Sequence, residues 1–385
     1  MTLRMEQVAA SLPAFVERYR EQLEALDAGL HAAGDALSRW SDDPTGGDER
    51  IRAAMAESPQ PYATSFGEPP AAAIDPPPFG QVTVVAADGS SIEPDRFAAV
   101  SCFVINTGSV VLPYGPGGDP VLESRALLGP HDVIEASGED EGADDLGPAG
   151  WAVNLRRDVR ELETAAGLAS RRVEHGDVVV LVDGTLFPWD LDSRQVPERV
   201  RRELKERTQD ALDLLAVQGE GLSLGAYISG SRSSEVVTSL RALAGDTTTA
   251  WPHADGHLFR TMLGDGQRSA LFRAQSERVG RVEAMFTAPH QVCFFYLRVG
   301  DDVARVEVPH WATLPARVAR LHATLVDQCR RCGGYPRALQ EAHEQAVIST
   351  GDRLQFSRLL ESEARRQGLH APANSKQTSK RRRAL

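Results

Sequence analysis

An unbroken apolar run that ends in a carboxylate is the feature that most constrains this fold. Residues 178–182 read Val-Val-Val-Leu-Val, and Asp183, Gly184 and Thr185 follow at once. A run without polar alternation is typical of a strand buried on both faces, as in the centre of an α/β sheet. A carboxylate beside such a strand is costly to bury without a partner, and a bound cation is one of the few partners available. The pattern therefore predicts a central strand with a functional acid at its carboxyl end.

The same layout occurs earlier in the chain. Residues 82–87 form a largely apolar stretch that ends at Asp88, and Gly89 and Ser90 follow. We expect the Gly after each Asp to allow a sharp turn of the backbone. Two such strands would deliver two carboxylates to one place. The alternative is that each Asp-Gly pair is an ordinary turn, in which Asp accepts local hydrogen bonds and Gly supplies a positive φ.

Length and composition are those of a soluble globular protein. The chain has 385 residues and a formal net charge of −12, and this length can bury a large core in one elaborated domain or two. No apolar run approaches the roughly 20 residues that span a membrane, and the first residues lack the apolar core of a secretory signal. We therefore expect a cytoplasmic protein. The acidic total excludes a uniformly basic nucleic-acid coat but permits a local basic surface.

The four cysteines predict neither a disulfide framework nor a complete metal site. Cys102, Cys293, Cys329 and Cys332 are too few for a framework in a chain of this length. Cys329 and Cys332 form one C-x-x-C pair that could supply half a zinc site, but a second pair is missing. We interpret both as small residues at a helix end.

Local patterns divide the chain into four segments. Residues 1–40 form an N-terminal helical segment, with one apolar face made by Val8, Leu12, Phe15, Tyr19, Leu23 and Leu26. Residues 41–80 are rich in Pro, Gly and Ala and are typical of a linker or a long irregular loop. Residues 81–370 form the main domain, with an acidic insertion at 130–150 that is predicted to be mobile, and 371–385 form a disordered basic tail.

The first half of the main domain predicts a mixed sheet. A strand up to Asp88 is followed by a hairpin of strands 97–105 and 110–112 around a turn at 106–108, a helix over 151–170 and the strand 178–182. A helix between two strands implies a parallel crossover, which can place the last strand beside the first. The two Asp residues would then lie at neighbouring carboxyl ends, the usual position of a site in α/β sheets.

Further strands and helices alternate in the second half. Strands are predicted at 222–229, 282–286, 292–299 and 304–308, and helices at 194–218, 233–243, 314–331, 336–350 and 352–367. Residues 247–281 show no regular pattern and are predicted to be irregular.

Carboxylates gathered at a strand end suit metal-dependent phosphodiester hydrolysis. Such groups hold Mg²⁺ or Mn²⁺, which activates water and neutralises developing charge. Asp88 and Asp183 supply two of them, and the crossover helix offers Glu161 and Glu163. The apolar stripe of that helix predicts Glu163 at its sheet-facing edge and Glu161 nearly opposite, in solvent, so Glu163 is preferred and Glu161 is the alternative. Either could also be an ordinary exposed helix charge.

Two other hydrolytic classes have little support in the sequence. The chain contains no G-x-x-x-x-G-K-[ST] sequence, so it is not expected to hydrolyse ATP itself. A G-x-S-x-G sequence occurs at residues 221–225, but it opens the strand predicted at 222–229 and not the strand-to-helix turn that a serine nucleophile needs, so serine-based hydrolysis has little support.

An ordered set of motifs resembles the NurA nucleases, the partners of the HerA DNA translocase. In chain order these are ADGS at 87–90, the Glu-bearing helix at 154–166, LVDGTL at 181–186, AYISGSR at 226–232, GQRS at 266–269, FFYL at 294–297, ARVEVP at 304–309 and GYPRALQEAH at 334–343. The match runs from about residue 82 to the tail. It implies an α/β fold with an RNase H-like mixed-sheet core and flanking helices, preceded by an N-terminal helical extension and closed by C-terminal helices.

The resemblance also implies a DNA nuclease that depends on Mn²⁺ or Mg²⁺. The implied activities are a 5′-to-3′ exonuclease and a single-strand endonuclease, and the implied partners are a second copy of the chain and a hexameric HerA-type ATPase. The implied role is DNA end resection in repair, or antiviral defence. Matched residue by residue, Asp88, Glu163 (or Glu161) and Asp183 correspond to the family's acidic metal ligands, His343 to a histidine that binds metal or orients water, and Tyr227 to the active-site tyrosine.

The last two matches have structural alternatives. His343 could be a partly buried structural histidine, and His310 is a competing candidate. Tyr227 on a buried strand could be a core residue whose hydroxyl is satisfied locally. The basic run at 380–383 is typical of a solvated tail, although it could touch DNA phosphates or the partner.

Three other functions fit the same residues. The chain could be a catalytically inactive RNase H-like adaptor of the motor, or a nuclease that acts on RNA or on RNA–DNA hybrids. A metal-dependent phosphatase of small substrates is the third, and the family resemblance argues against it.

Overall fold

The computed structural model describes residues 4–95, 98–115, 118–130, 148–194, 196–245, 251–286 and 290–369. The acidic stretch at 132–145 and the basic tail lie outside these residues. The chain divides into two compact units, each assembled from separate stretches. We call one the carboxylate unit (Phe79–Gly225, Met285–Ala288 and Tyr335–Leu385) and the other the companion unit (Met1–Pro78, Ala226–Ala284 and Pro289–Gly334). The division into four consecutive segments stays a prediction.

Regular elements occur throughout the described residues. The strands are β1 (Tyr62–Ser65), β2 (Ala73–Ile74), β3 (Val82–Ile92), β4 (Cys102–Tyr114), β5 (Val121–Pro130), β6 (Val178–Asp183), β7 (Leu222–Ile228), β8 (Arg268–Ser269), β9 (Phe272–Gln275), β10 (Val292–Val299) and β11 (Asp302–Pro309). The helices are α1 (Met5–Asp42), α2 (Pro44–Glu57), α3 (Pro148–Ser170), α4 (Glu198–Ala216), α5 (Glu235–Ala244), α6 (Asp255–Met262), α7 (Glu277–Glu283), α8 (Pro315–Arg331), α9 (Arg337–Ala346) and α10 (Thr350–Arg366). Within the described part of the chain, no helix combines the length and the apolar character that crossing a membrane requires.

The carboxylate unit is built on a mixed sheet. β3, β4 and β5 form an antiparallel meander, and β6 pairs with the other side of β3 in parallel. β7 begins in this unit beside β6, so the strand order is β5-β4-β3-β6-β7. Numbered by appearance in this unit, that order is 3-2-1-4-5, with one helix before and one helix after the fourth strand. This is the RNase H-like arrangement, and it confirms the predicted fold class.

Apolar burial positions the central strand and the crossover helix. Every residue of β6 before Asp183 is buried, as its apolar run predicts. The predicted stripe of α3 is buried as well, and this helix packs both on the sheet and on α4. Complete burial of a Val or Leu side chain contributes about 1.5–3 kcal/mol. The core therefore holds β3, β6 and α3 in one fixed arrangement.

Gly108 is the point at which α9 approaches the sheet. A Cβ atom added to Gly108 would stand 2.2 Å from the carbonyl oxygen of Ala342 in α9. The side-chain amide of Asn106 donates a hydrogen bond of 2.9 Å to the carbonyl oxygen of Ala346 at the end of the same helix. The hairpin turn predicted at 106–108 was therefore wrong. These residues lie inside β4, because the missing side chain of Gly108 serves helix packing and not a chain reversal.

We expect Gly108→Ala to lower the free energy of unfolding by about 1–3 kcal/mol, because an extra methyl group must displace the backbone of α9. Thermal denaturation measures the effect. Gly80→Ala is the matched control, since a Cβ atom there meets nothing within 4 Å. Equal melting temperatures for both variants would show that α9 does not depend on this close approach.

The companion unit is antiparallel in its described pairings. β9, β10 and β11 are neighbours, β1 pairs with β9, and the end of β7 pairs with β11 through residues 226–228. Its core includes Trp40, Phe259, Phe272, Phe294 and Tyr296. Cys329 is buried at the end of α8, where burial raises its thiol pKa to about 12, and Cys332 is half-buried.

Two segments that were predicted to be irregular contain helices and strands. The proposed linker at 41–80 contains α2 and β1, because Asp43 caps α2 by accepting a hydrogen bond from Gly46 and Pro44 suits the first helical position. The stretch at 247–281 contains α6, β8, β9 and most of α7. The strand predicted at 282–286 was wrong, since α7 runs to Glu283.

The long N-terminal helix is confirmed, and its two halves differ in burial. Ala33, Leu37 and Trp40 pack into the companion core. Val8, Leu12, Phe15, Val16 and Tyr19 are each at least 37% exposed, although they share one face of the helix. We call these five side chains the α1 stripe.

Candidate active site

Asp88 and Asp183 meet at one edge of the sheet. β3 and β6 run parallel, and Ala87 is the partner of Val182, so the next residue on each strand is an aspartate. Register neighbours in a sheet project from the same face. Loss of solvent raises the pKa of Asp183 above its usual value, and the nearby charge of Asp88 raises it further. The two carboxylates therefore share one electrostatic site.

The two glycines after these aspartates have different functions. Gly184 has φ +79°, a left-handed conformation that supplies the predicted turn. Gly89 lies inside β3, which continues to Ile92, so no turn occurs there. A Cβ atom at Gly89 would stand 2.6 Å from Oε1 of Glu161 and 2.6 Å from Cγ of Arg157. Gly89 therefore leaves room for the side chains that α3 presents to the site.

Glu161 is the glutamate that α3 directs towards the aspartates. Its side chain is buried, and the guanidinium of Arg157 lies 3.3 Å from its carboxylate. Burial raises the pKa of Glu161 well above its usual range, and the negative charges of Asp158, Asp88 and Asp183 raise it further. The site therefore contains three carboxylates whose charges are only partly neutralised by the protein.

Glu163 lies on another side of α3. It forms a bidentate ion pair with Arg207 of α4, with hydrogen bonds of 2.7 and 2.6 Å. The predicted orientation of the two glutamates is thus reversed: Glu161 is buried beside β3, and Glu163 faces α4. The physical reason is that α3 is covered on two sides, so its apolar stripe has two inward-facing edges.

α9 and the residues just before it bring two further groups to the aspartates. Nδ1 of His343 lies 2.7 Å from Asp88, and the His343 side chain is 67% exposed. The hydroxyl of Tyr335 donates a hydrogen bond of 2.7 Å to Asp183. Sequence reasoning did not select Tyr335, although the Gly334-Tyr335-Pro336 motif immediately before the His343 helix could have indicated it.

Tyr227 and His310 belong to the companion unit and make contacts of their own. Tyr227 is 1% exposed, and its hydroxyl lies 3.9 Å from the Sγ atom of Cys329. The His310 ring meets Phe66 edge-on, with ring centroids 5.4 Å apart. These contacts of Tyr227 and His310 lie within the companion unit.

The donor set has the chemistry of a divalent-metal site. Carboxylate oxygens are the ligands that Mg²⁺ and Mn²⁺ prefer, and an imidazole nitrogen lies beside them here. A cation would also relieve the mutual repulsion that raises the pKa values of Glu161 and Asp183. Among the residues that the structure describes, no three acidic, His or Cys side chains stand in a ready-made metal-binding arrangement. Arg157, His343 and Tyr335 contact the three carboxylates instead.

Comparison with known families identifies the architecture. The NurA domain model matches residues 82–348, which include every residue of this site. The chain belongs to the NurA family. No curated protein matches it.

Two solved structures match this chain to different degrees. The NurA nuclease from Sulfolobus solfataricus is 15% identical, with a TM-score of 0.52 and coverage of 95% of this chain and 98% of that one. The catalytic domain of human Endonuclease V is 16% identical, with a TM-score of 0.31 and coverage of 85% and 98%. The Sulfolobus structure supports a NurA fold for this chain.

A cleft adjoins the carboxylates of this NurA protein. Its volume is about 600 Å³, and it is lined by residues 89–93, Asn154, Arg157, His343 and Arg353. Two arginines therefore face a space that also contacts the histidine beside Asp88. Such a cleft can accept a phosphodiester next to an acidic site, because guanidinium groups bind phosphate oxygens.

Proposed function

We propose that this NurA protein is a divalent-metal-dependent DNA nuclease. The observation that carries the proposal is the convergence of Asp88, Asp183 and the buried Glu161 from three separate elements. The fold keeps these negative charges together although their repulsion opposes it. Such an arrangement is expected where binding a cation is the function.

In this proposal Asp88, Glu161 and Asp183 hold Mn²⁺ or Mg²⁺, and Glu161 replaces Glu163 as the helical ligand. The bound ion would activate water and neutralise charge on the phosphate. His343 fixes the orientation of Asp88 and, being exposed, can move a proton at the cleft wall. Tyr335 orients Asp183. Arg157 and Arg353 bind phosphate oxygens of the strand in the cleft.

The more specific activities and partners in this proposal are taken from the resemblance to the NurA family. We infer 5′-to-3′ exonuclease and single-strand endonuclease activity, in company with a HerA-type hexameric ATPase. End resection in repair and defence against foreign DNA are the two roles that suit such a pair. The absence of a phosphate-binding G-x-x-x-x-G-K-[ST] loop in this chain is in keeping with a separate motor.

A substrate panel tests the proposed activity. Labelled single- and double-stranded DNA, RNA and RNA–DNA hybrid are incubated with the protein in Mn²⁺, in Mg²⁺ and in EDTA, with and without the motor. We expect cleavage of DNA with metal and none in EDTA. Cleavage of RNA or of RNA–DNA hybrid alone would favour a nuclease that acts on RNA or on the hybrid. Motor binding without any cleavage would favour an inactive adaptor.

We also propose that the α1 stripe pairs with a second copy of the chain, as the family's dimers suggest. Five apolar side chains on one exposed helix face are costly to leave in water. Phe15→Glu is expected to convert the dimer to a monomer in light scattering coupled to size exclusion. Ala10→Glu adds the same charge on the opposite side of α1 and should leave the dimer intact. Dimers of equal stability in both variants would place the interface elsewhere.

A further inference from the structure

A second pocket in the carboxylate unit lies between α3 and the strands β4 and β5. Its volume is about 210 Å³. Its polar lining includes Thr107, Ser109, Arg125, Arg160, Thr164 and Arg171. We call it the Arg160 pocket. It is distinct from the cleft, since the two share no lining residue.

The charges of the Arg160 pocket do not balance. Its two carboxylates are engaged, Glu123 with Arg125 at 2.8 Å and Glu163 with Arg207. Arg160 and Arg171 form no ion pair with any residue that the structure describes. The Nε atom of Arg160 is buried without a hydrogen-bond partner. Among the described residues, these two guanidinium groups therefore offer donors that meet no acceptor.

A buried hydroxyl in the same pocket also lacks a partner. Thr107 is 3% exposed, and its Oγ1 atom makes no hydrogen bond. Buried polar groups are normally satisfied, so an orphaned hydroxyl at a pocket wall indicates a missing ligand. The guanidinium of Arg171 lies near Gly167, since a Cβ atom built there would be 3.8 Å from one of its terminal nitrogens, an ordinary contact distance. The guanidinium of Arg171 therefore lies folded back over α3.

We propose that the Arg160 pocket binds a phosphate group. A tetrahedral oxyanion accepts hydrogen bonds from several guanidinium and hydroxyl donors at once. Thr107 is the register partner of Gly89, the residue that leaves room for Glu161, so the pocket starts one strand away from the candidate active site. We therefore infer that its phosphate belongs to the backbone of a DNA strand that extends beyond the cleft, an inference that rests on the proposed function.

DNA binding without metal tests this pocket separately from cleavage. Fluorescence anisotropy of a labelled single-stranded oligonucleotide is measured in EDTA at several salt concentrations. Arg160→Gln and Arg171→Gln are each expected to weaken binding about tenfold, since each removes a charge-assisted contact. Each should also reduce the slope of log affinity against log salt by about one.

Two further variants control for net charge and for folding. Arg202→Gln removes the same charge from an exposed position of α4 outside the pocket, and should change affinity much less. Thr107→Val keeps the shape of the side chain and removes only the orphaned hydroxyl, so it should weaken DNA binding without lowering the melting temperature.

Inorganic phosphate distinguishes the source of the ligand. Thermal denaturation is measured with and without phosphate. If phosphate stabilises the wild type but not Arg160→Gln, and the DNA affinity of the two proteins is the same, the pocket binds free phosphate. If Arg160→Gln and Arg171→Gln alter neither DNA affinity nor phosphate stabilisation, the pocket does not bind phosphate. These measurements need no metal, so they do not depend on cleavage. If the wild type cleaves no DNA but Arg160→Gln still weakens DNA binding, the nuclease proposal fails and the phosphate proposal stands.

Discussion

Replacing Asp88 or Asp183 by Ala is expected to abolish Mn²⁺-dependent DNA cleavage while the protein stays folded. In the proposed function these residues would hold one ion from two neighbouring strands, and a metal stabilises the transition state by several kcal/mol, so the rate should fall by roughly a thousandfold or more. Cleavage of labelled DNA measures the loss. Circular dichroism and thermal denaturation establish that each variant is folded.

Asp177→Asn is the matched control for these two substitutions. Asp177 is exposed, and it immediately precedes β6, at the end of the strand opposite Asp183. This variant should cleave at close to the wild-type rate. Undiminished cleavage by both Asp88→Ala and Asp183→Ala would remove the candidate active site altogether.

Glu161→Gln is expected to eliminate cleavage, and Glu163→Gln is expected to retain it. The two positions lie on the same helix, so the same substitution tests them under matched conditions. Glu161 adjoins the aspartates, whereas the carboxylate of Glu163 is held by Arg207. Single-turnover DNA cleavage and Mn²⁺ binding should both be lost only in Glu161→Gln. The reverse result would restore Glu163 as the helical ligand.

In the absence of metal, Glu161→Gln should also change the thermal stability of the protein. Because burial raises the pKa of Glu161, the folded protein holds that proton more tightly than the unfolded chain does. The contribution of Glu161 to stability is therefore fully present at acid pH and is lost as pH rises from the unfolded pKa through the folded one. Glu161→Gln removes this charge and should raise the melting temperature at neutral pH. A lower melting temperature there would show that its ion pair with Arg157 outweighs the cost of burial.

The sequence predicted those parts of the fold that depend on neighbouring residues. The apolar runs of β6 and β10 and the helical spacing of α3 matched the structure closely, because burial on both faces or along one stripe leaves a direct pattern. The motif at 106–108 shows the limit of such reasoning. Its Asn and Gly are typical of a turn, yet Gly108 lies within β4 because α9, more than 200 residues later, packs against it.

Some features of the candidate site could be predicted from the sequence, and others could not. Two Asp-Gly motifs on neighbouring strands were enough to predict that Asp88 and Asp183 would meet, since the order of strand, helix and strand restricts how they pair. The choice between Glu161 and Glu163 needed the position of α4, which covers a second side of α3. Tyr335 could be assigned to Asp183 only once α9 was placed against the sheet.

Local chemistry was therefore sufficient to establish the central strands, the crossover helix and the two aspartates at their ends. Only long-range packing determined which glutamate joins them, why Gly89 has no side chain, and that Tyr335 contacts the site while Tyr227 is buried in another unit. The physical reason is that backbone pattern depends on adjacent residues, whereas the direction and the partner of a side chain depend on elements brought together from distant parts of the chain.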